Sequence, residues 1–403
     1  MSSVYDPFSA RFHADPYPNY HWLRAYYPVF RNEVAAHREW LLTRYADVAA
    51  ALRDPRLSSQ VVPPMVIDQL AASGRPLLAG LANLFVHMLI LQDDPHHARL
   101  RGLVGGAFTP RAVERLRKRI ETIADALLDQ AARRGELELI GDFAAPLSVG
   151  SIAALLGLPS AEDVPLKRWA DDIVLLLDRN TKVDGLERAA TSASDMAAWV
   201  RGFIDERRAT PGDDLVSGLI ATAESEDALD ENELVSTCVL LLAAGHQTTM
   251  HGIGNATLAL LRQPGAEAAA RAESALTGSA VEELVRYDSP LQRVWRTART
   301  DLEIAGERIQ AGDDVVLVLG AANRDPAVFQ EPDRLEFGRS ANRHLGFGHG
   351  AHFCLGAALA RLEMRVALTR LLGRLPALEL ATDDLEWRPG SMVRGLRALH
   401  LWF

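Results

Sequence analysis

The 403-residue sequence predicts a mainly α-helical protein, a single large domain over residues 1–403 with small β-sheets at one side. Three observations predict it. Amphipathic helical patterns dominate from Asp94 to Tyr287. One candidate helix runs from about Glu231 to Arg262, which at 1.5 Å per residue is ~45 Å. Short β-rich stretches flank the helical block at Trp40–Thr43, at Leu302–Val318 and from Leu378 onward.

The individual elements follow from local signals. Thr109-Pro110 opens a helix expected to run to Arg134-Gly135, since proline suits the first helical turn and glycine the end. Pro211-Gly212-Asp213-Asp214 opens another. Residues Asp325 to Leu345 read as a loop rich in Pro, Gly, Asp and Arg. There is no low-complexity linker and no shift of composition that would divide the chain.

Hydrophobic residues make up 48% and charged residues 24%, the mix of an ordinary globular protein. A formal charge of −10 argues against nucleic acid as a partner, because no basic block is present to offset phosphate charge. The start, Met1-Ser2-Ser3-Val4-Tyr5-Asp6-Pro7, has no basic stretch followed by an apolar one, so neither signal peptide nor membrane anchor is expected. The most apolar runs, Val239–Ala244 and Leu84–Leu91, fall far short of the roughly 20 residues that span a bilayer. Only Cys238 and Cys354 occur, in unlike contexts, which points to a reducing cytoplasm. Cys238 lies in an apolar helical stretch and reads as a core thiol.

Cys354 sits in Phe347-Gly348-His349-Gly350-Ala351-His352-Phe353-Cys354-Leu355-Gly356, just before a strong helix pattern. A helix N-terminus lowers a thiol's pKa and stabilises a thiolate. Gly348 and Gly350 let the loop turn sharply beside a flat surface, and Gly356 lets the helix approach it. Three readings stay open on residues alone. One is a glycine-rich turn with a buried cysteine, which leaves three glycines at these spacings unexplained. Another is zinc, with His344, His349, His352 and Cys354 close in sequence, although structural zinc sites usually draw paired ligands from separate elements. The third is a thiolate ligand to haem iron, where electron donation favours O–O cleavage.

The run Phe-Gly-x-Gly-x-His-x-Cys-x-Gly resembles the haem-binding signature of the cytochrome P-450 family at every defined position. Four further segments resemble family motifs in order, so the resemblance covers essentially the whole chain. Glu283-Leu284-Val285-Arg286 is similar to the Glu-x-x-Arg motif, whose buried pair is locked by an arginine from the next loop, a place that Arg334 fits. Asp94-Pro95-His96-His97-Ala98-Arg99-Leu100-Arg101 resembles the helix whose His and Arg, here His97 and Arg101, grip a haem propionate. Val294-Trp295-Arg296 resembles the strand that supplies a second propionate arginine, Arg296, and His352 joins this set. Ala243-Ala244-Gly245-His246-Gln247-Thr248-Thr249 is similar to the oxygen-binding kink, with Thr248 as the hydroxyl and Ala244 and Gly245 as the small residues.

The resemblance implies the cytochrome P-450 fold, haem b held by Cys354, and a monooxygenase that uses O2 on a mainly hydrophobic small molecule. It implies secondary metabolism as the setting. It also implies electrons from NAD(P)H through a separate reductase and ferredoxin, docking on the Cys354 side near Arg343, Arg361 and Arg365. By position, Leu240, Leu291, Val294, Met392 and Val393 would face the substrate, within segments that also take in residues 57–91 and 166–177. Gln292 and Arg293 would meet a polar group on it. One departure bears on mechanism: Gln247 stands where the family has Asp or Glu, and an amide cannot take and release a proton as a carboxylate does. That leaves room for ring coupling or a carrier-protein-bound substrate. A non-catalytic haem sensor is the reading from another class, disfavoured by the retained Thr248.

Overall fold

Asp230 and Glu233 form a reciprocal capping box: Glu233 N–H donates to Asp230 Oδ1 (2.9 Å) and Asp230 N–H to Glu233 Oε2 (3.0 Å). This starts the Glu231–Arg262 helix, 32 residues long, where the sequence pattern places it. The helix stops at Gln263-Pro264-Gly265, with Gly265 at φ 77°. The computed structural model describes residues 5–32, 39–60, 74, 76–158, 164–175, 183–221, 229–272 and 276–403. They group into two units, one of residues 1–58, 120–147 and 248–403, the other of 59–119 and 148–247.

The first unit holds the described sheets. Strands β1 (Val29–Asn32), β2 (Glu39–Leu42), β3 (Leu57–Ser58), β5 (Arg293–Ala298) and β8 (Asp314–Val318) form one sheet in the order β1-β2-β8-β5-β3. β2 and β8 run parallel and the other pairs antiparallel. β8, buried along its whole length, is central, as its Val-Val-Leu-Val run requires. Its Val315 and Leu317 pack with Trp40, Leu42, Val48 and Leu57. β6 (Leu302–Ile304) and β7 (Glu307–Ile309) make a hairpin whose turn residues, Ala305 and Gly306, both have positive φ. β4 (Glu136–Glu138), β9 (Glu379–Leu380) and β10 (His400–Trp402) form a third sheet in the order β4-β10-β9. Two helices of this unit carry most of the residues discussed below, Gly278–Tyr287 and Ala357–Arg374. The Thr277 hydroxyl caps the former by accepting from Ala280 N–H, 3.2 Å. No helix or strand occurs between Asp325 and Leu345.

The second unit is helical. Leu166–Val174 buries Leu166, Trp169, Ala170, Asp172 and Ile173 and packs on Val183–Ala209, where Trp169 meets Trp199 with ring centroids 6.5 Å apart. The buried Asp172 carboxylate is held too: it accepts from Arg188 Nε (2.8 Å) and Ser192 Oγ (2.7 Å). The helix expected from Thr109 to Arg134 is two helices, Pro110–Glu114 and Arg117–Arg134, the latter belonging to the first unit from residue 120 onward. Leu116 N–H turns back to Val113 O (2.9 Å), an i→i−3 bond that interrupts the α pattern. No helix among the described residues is long and apolar enough to cross a membrane.

Candidate haem-thiolate site

The glycine loop closes on itself before the Ala357–Arg374 helix. Cys354 N–H donates to Phe347 O at 2.8 Å, and Ala357 N–H to Cys354 O at 3.3 Å, so the thiol sits at the N-terminal end of an 18-residue helix. Gly348 and Gly350 both have φ 73°. At Gly350 a Cβ would lie 2.9 Å from the Leu52 carbonyl oxygen and from Arg53 Cγ, so only glycine fits this approach. Cys354 and Phe353 are exposed, whereas Cys238 is buried and burial pushes its thiol up to about 12. The chain therefore offers one accessible thiol at a helix N-terminus, on a loop that presents backbone rather than bulk. That donor set fits a haem iron.

Behind the loop, Glu283 and Arg286 pair inside the protein. Arg286 Nε and Nη2 donate to Glu283 at 2.7 and 2.8 Å, and both side chains are fully buried. The remaining valences are filled by the loop after β8. Glu283 accepts from Arg339 Nε at 3.2 and 3.1 Å, from Asn342 Nδ2 at 3.1 Å and from Glu336 N–H at 2.9 Å. Arg286 donates to the carbonyls of Asn323, Pro332 and Arg334. The expectation for Arg334 is thus corrected. Its side chain is exposed beside Glu331 and only its carbonyl joins the network, while Arg339 supplies the second guanidinium. Phe329 lies 5.3 Å from the Arg286 guanidinium and covers it.

A second cluster ties the helix carrying this pair to the one that follows Cys354. Arg361 Nε and Nη2 donate to Glu282 at 2.6 and 2.7 Å, His344 Nε2 lies 3.0 Å from Glu282, and the Arg361 guanidinium stacks 4.5 Å from the Phe347 ring. Burial opposes the charge on Glu282, but hydrogen bonds from His344 and Arg361 hold its carboxyl at about 2. Arg361 is therefore held by Glu282 as a structural clamp while its side chain stays 37% exposed; Arg343 is exposed and Arg365 half-buried. His344, one member of the zinc reading, is engaged here, and no group of three metal-ligating side chains occurs among the described residues.

Elsewhere in the same unit, Arg296 is buried, with Nη1 donating to Trp295 O at 2.7 Å, and His352 is half-buried. Leu291 and Val393 form an isolated bridge, and Met392 O accepts Gln292 N–H at 2.8 Å. These contacts bring Leu291 and Gln292 beside Met392 and Val393; Leu291, Val294, Met392 and Val393 are all half-buried apolar residues. Gln292 and Arg293 do not join that surface. Gln292 Nε2 donates to Ser289 O at 2.7 Å, and Arg293 is buried against the Tyr5 and Phe12 rings at 5.8 and 5.3 Å.

In the second unit, His97 is buried with Nδ1 3.5 Å from Asp94 Oδ1, and burial lowers its pKa. Arg101, one turn on, is half-buried; His96 is exposed and Arg99 pairs with Glu233. Leu240 is buried on the long helix, where Ala244 is exposed and Gly245 is half-buried amid buried neighbours; Thr248, where the helix passes into the first unit's 248–403 segment, is half-buried too. Their i, i+1, i+4 spacing opens one strip of the helix. A Cβ on Gly245 would stand 3.1 Å from Ile152 Cδ1, so that position is tight. Gln247 is buried and donates from Nε2 to Asp171 Oδ1 at 3.1 Å. Residues 61–73, 75 and 176–177 of the expected substrate segments lie outside the described residues.

The comparisons agree with this geometry. The family model "Cytochrome P450" matches residues 186–386. The chain is 39% identical over 391 residues to the biotin biosynthesis cytochrome P450 of Bacillus subtilis (strain 168), covering 97% of this chain and 96% of that one. It is 39% identical over 395 residues to the cytochrome P450 monooxygenase PikC of Streptomyces venezuelae, covering 96% and 91%. A crystal structure of P450BioI with acyl carrier protein ligated to hexadec-9Z-enoic acid superposes with a TM-score of 0.90 at 38% identity, over 98% of this chain and 100% of that one. An accessible thiol at a helix N-terminus, a buried Glu-x-x-Arg pair and near-full-length relatives lead to one conclusion: the chain belongs to the cytochrome P-450 family of haem-thiolate monooxygenases.

Proposed function

We propose that Cys354 is the haem ligand of an oxygenase acting on a mainly apolar small molecule, with the chain 1–403 working as a single catalytic domain. The observation that carries the ligand assignment is the exposed Cys354 thiol at the start of Ala357–Arg374, against a Cys238 thiol buried and pushed up to about 12. Phe347, Gly348 and Gly356 shape the loop and helix start beside the porphyrin; His97, Arg101, Arg296 and His352 are the cations and donors for its propionates. When bound, the haem supplies activation of O2. The chain's part is to hold it, to exclude bulk water and to deliver protons. Ala244 and Gly245 keep the long helix slim, and the Thr248 hydroxyl holds an ordered water or donates a hydrogen bond on the same strip.

Leu240, Leu291, Val294, Met392 and Val393 form the substrate-facing set. Leu240 is buried, whereas the half-buried Leu291, Val294, Met392 and Val393 side chains favour apolar groups, each methylene buried contributing about 0.8 kcal/mol. A fatty acyl chain on a carrier protein is the second reading, favoured by the likeness to the P450BioI structure named above. Electrons reach the protein from NAD(P)H through a ferredoxin reductase and a ferredoxin in the cytoplasm. The reduced carbon-monoxide difference spectrum tests the ligand assignment. Wild type gives the long-wavelength Soret band of thiolate ligation and Cys354→Ala loses it while Cys238→Ala keeps it; a band that survives Cys354→Ala overturns the assignment. Substrate class is read on the same sample by the Soret shifts given by free fatty acids, acyl carrier protein conjugates and macrolides.

A further inference from the structure

A monooxygenase turnover takes two electrons and two protons per O2, one oxygen atom entering the product and the other leaving as water. The electrons come from the redox partner. The protons must come through side chains, and the long helix carries an amide, Gln247, where a carboxylate would do this work.

The structure places a carboxylate against that amide from another helix. Asp171, on Leu166–Val174, accepts from Gln247 Nε2 at 3.1 Å through Oδ1, and the same oxygen lies 3.9 Å from His246 Nε2. Its other oxygen, Oδ2, accepts from Lys167 Nζ at 2.8 Å, one turn earlier on the same helix. Gln247 and His246 are 2% and 1% exposed, whereas the Asp171 side chain is 19% exposed and that of Lys167 50%. One carboxyl group thus bridges a solvated ammonium and the buried Gln247 amide of the oxygen-binding motif, with the buried His246 ring close by.

The chemistry of the pair fixes direction. An ionised carboxylate only accepts, so Gln247 must turn its NH2 to Asp171, leaving its carbonyl oxygen as the acceptor on the other branch. A protonated Asp171 donates instead, which reverses the preferred face of the amide. We infer that Asp171 replaces, from a neighbouring helix, the carboxylate missing at position 247. It orients the Gln247 amide and serves as the solvent-side proton carrier for the motif. A proton taken from water at Asp171 is handed to an ordered water that the Gln247 amide orients, the amide itself taking none, and the carboxylate is regenerated with no electrons moved at this residue. Asp171 is a positioning residue. The inference rests on the oxygenase role assigned above to Thr248.

Four variants of the haem-loaded protein test it: Asp171→Asn, Gln247→Glu, the double variant, and Thr248→Ala. Because general acid–base terms contribute about 100-fold or more, Asp171→Asn should lower product formed per NAD(P)H by about tenfold or more. Adding Gln247→Glu to it should restore coupling, since an acid then stands on the long helix itself; a purely structural Asp171 gives no such rescue. The carbon–oxygen stretching frequency of the ferrous carbon-monoxide form should also shift in Asp171→Asn, independently of turnover. Unchanged coupling and frequency in Asp171→Asn, with only a lower melting temperature, would overturn the inference and leave Asp171 a tie between helices. If Thr248→Ala also leaves coupling intact, the reading of the oxygen-binding motif itself falls; if Thr248→Ala uncouples and Asp171→Asn does not, only Asp171 falls.

Discussion

Arg339 reaches Glu283 with Nε 3.2 and 3.1 Å from its two carboxylate oxygens, so the buried Glu283 faces two guanidiniums, Arg339 and Arg286. Arg339 also pairs with Glu336 at 3.5 Å, so two guanidiniums meet two carboxylates, and such a cluster is stable only while its charges stay matched. Removing one partner leaves an uncompensated buried charge and costs about 3–5 kcal/mol. Glu283→Ala should therefore give a protein that retains little haem and unfolds at much lower urea, read by the Soret-to-280 nm absorbance ratio and by urea titration. Arg339→Ala should follow it with a smaller loss, and Arg334→Ala should match wild type. Equal damage from Arg334→Ala would refute the pairing.

How much of this was legible in the sequence depends on the reach of each contact. Asp230 with Glu233, and Pro264-Gly265, are local signals, and the long helix starts and stops where they stand. Glu283 and Arg286 are three apart on a helix, so their pairing was legible as well. Arg334, Arg339 and Arg343 share one irregular loop with no period to say which points inward, and Arg334 was the wrong choice. Arg293 lies on β5, but its burial depends on Tyr5 and Phe12 from the chain's far end. Asp171 stands 76 residues from Gln247, and only the fold joins them.

Glu282 gives a pH signature. Its carboxyl is held at about 2 against an ordinary value of 4.5, so its charge stabilises the folded state above pH 4.5 and that contribution is lost as pH falls towards 2. Glu282→Gln should lower the urea midpoint at pH 7. The gap from wild type should narrow as pH drops below 4.5. A gap that stays constant down to the acid limit would mean that the His344 and Arg361 contacts do not stabilise the charged form.

Gly350 tests the loop. Its φ of 73° costs an L-residue roughly 1–2 kcal/mol, and a Cβ there would press on the Leu52 carbonyl at 2.9 Å, an atom of the backbone that cannot swing away. Gly350→Ala should shift the loop and speed haem loss to apomyoglobin. Gly338→Ala, with open space around its Cβ position, should leave haem retention unchanged and serves as the control. Equal haem loss rates for the two variants would show that the approach of Gly350 to Leu52 is not required.

Arg361 and Arg343 should separate clamp from docking surface. Arg361 is bidentate to Glu282, so Arg361→Glu would set two carboxylates together and destabilise the helix that follows Cys354. Its effect on reduction by ferredoxin would then reflect damage to the fold and persist at high salt. Arg343 is exposed, with its carbonyl already held by the Tyr45 hydroxyl at 2.7 Å, so a charge change there leaves the backbone contact intact. Steering by an exposed charge is screened over about 8 Å at physiological ionic strength. Arg343→Glu should thus slow reduction by an acidic ferredoxin at low salt, by stopped flow, and converge on wild type as salt rises. If reduction of the Arg343→Glu protein is as fast as wild type at low salt, the partner docks elsewhere.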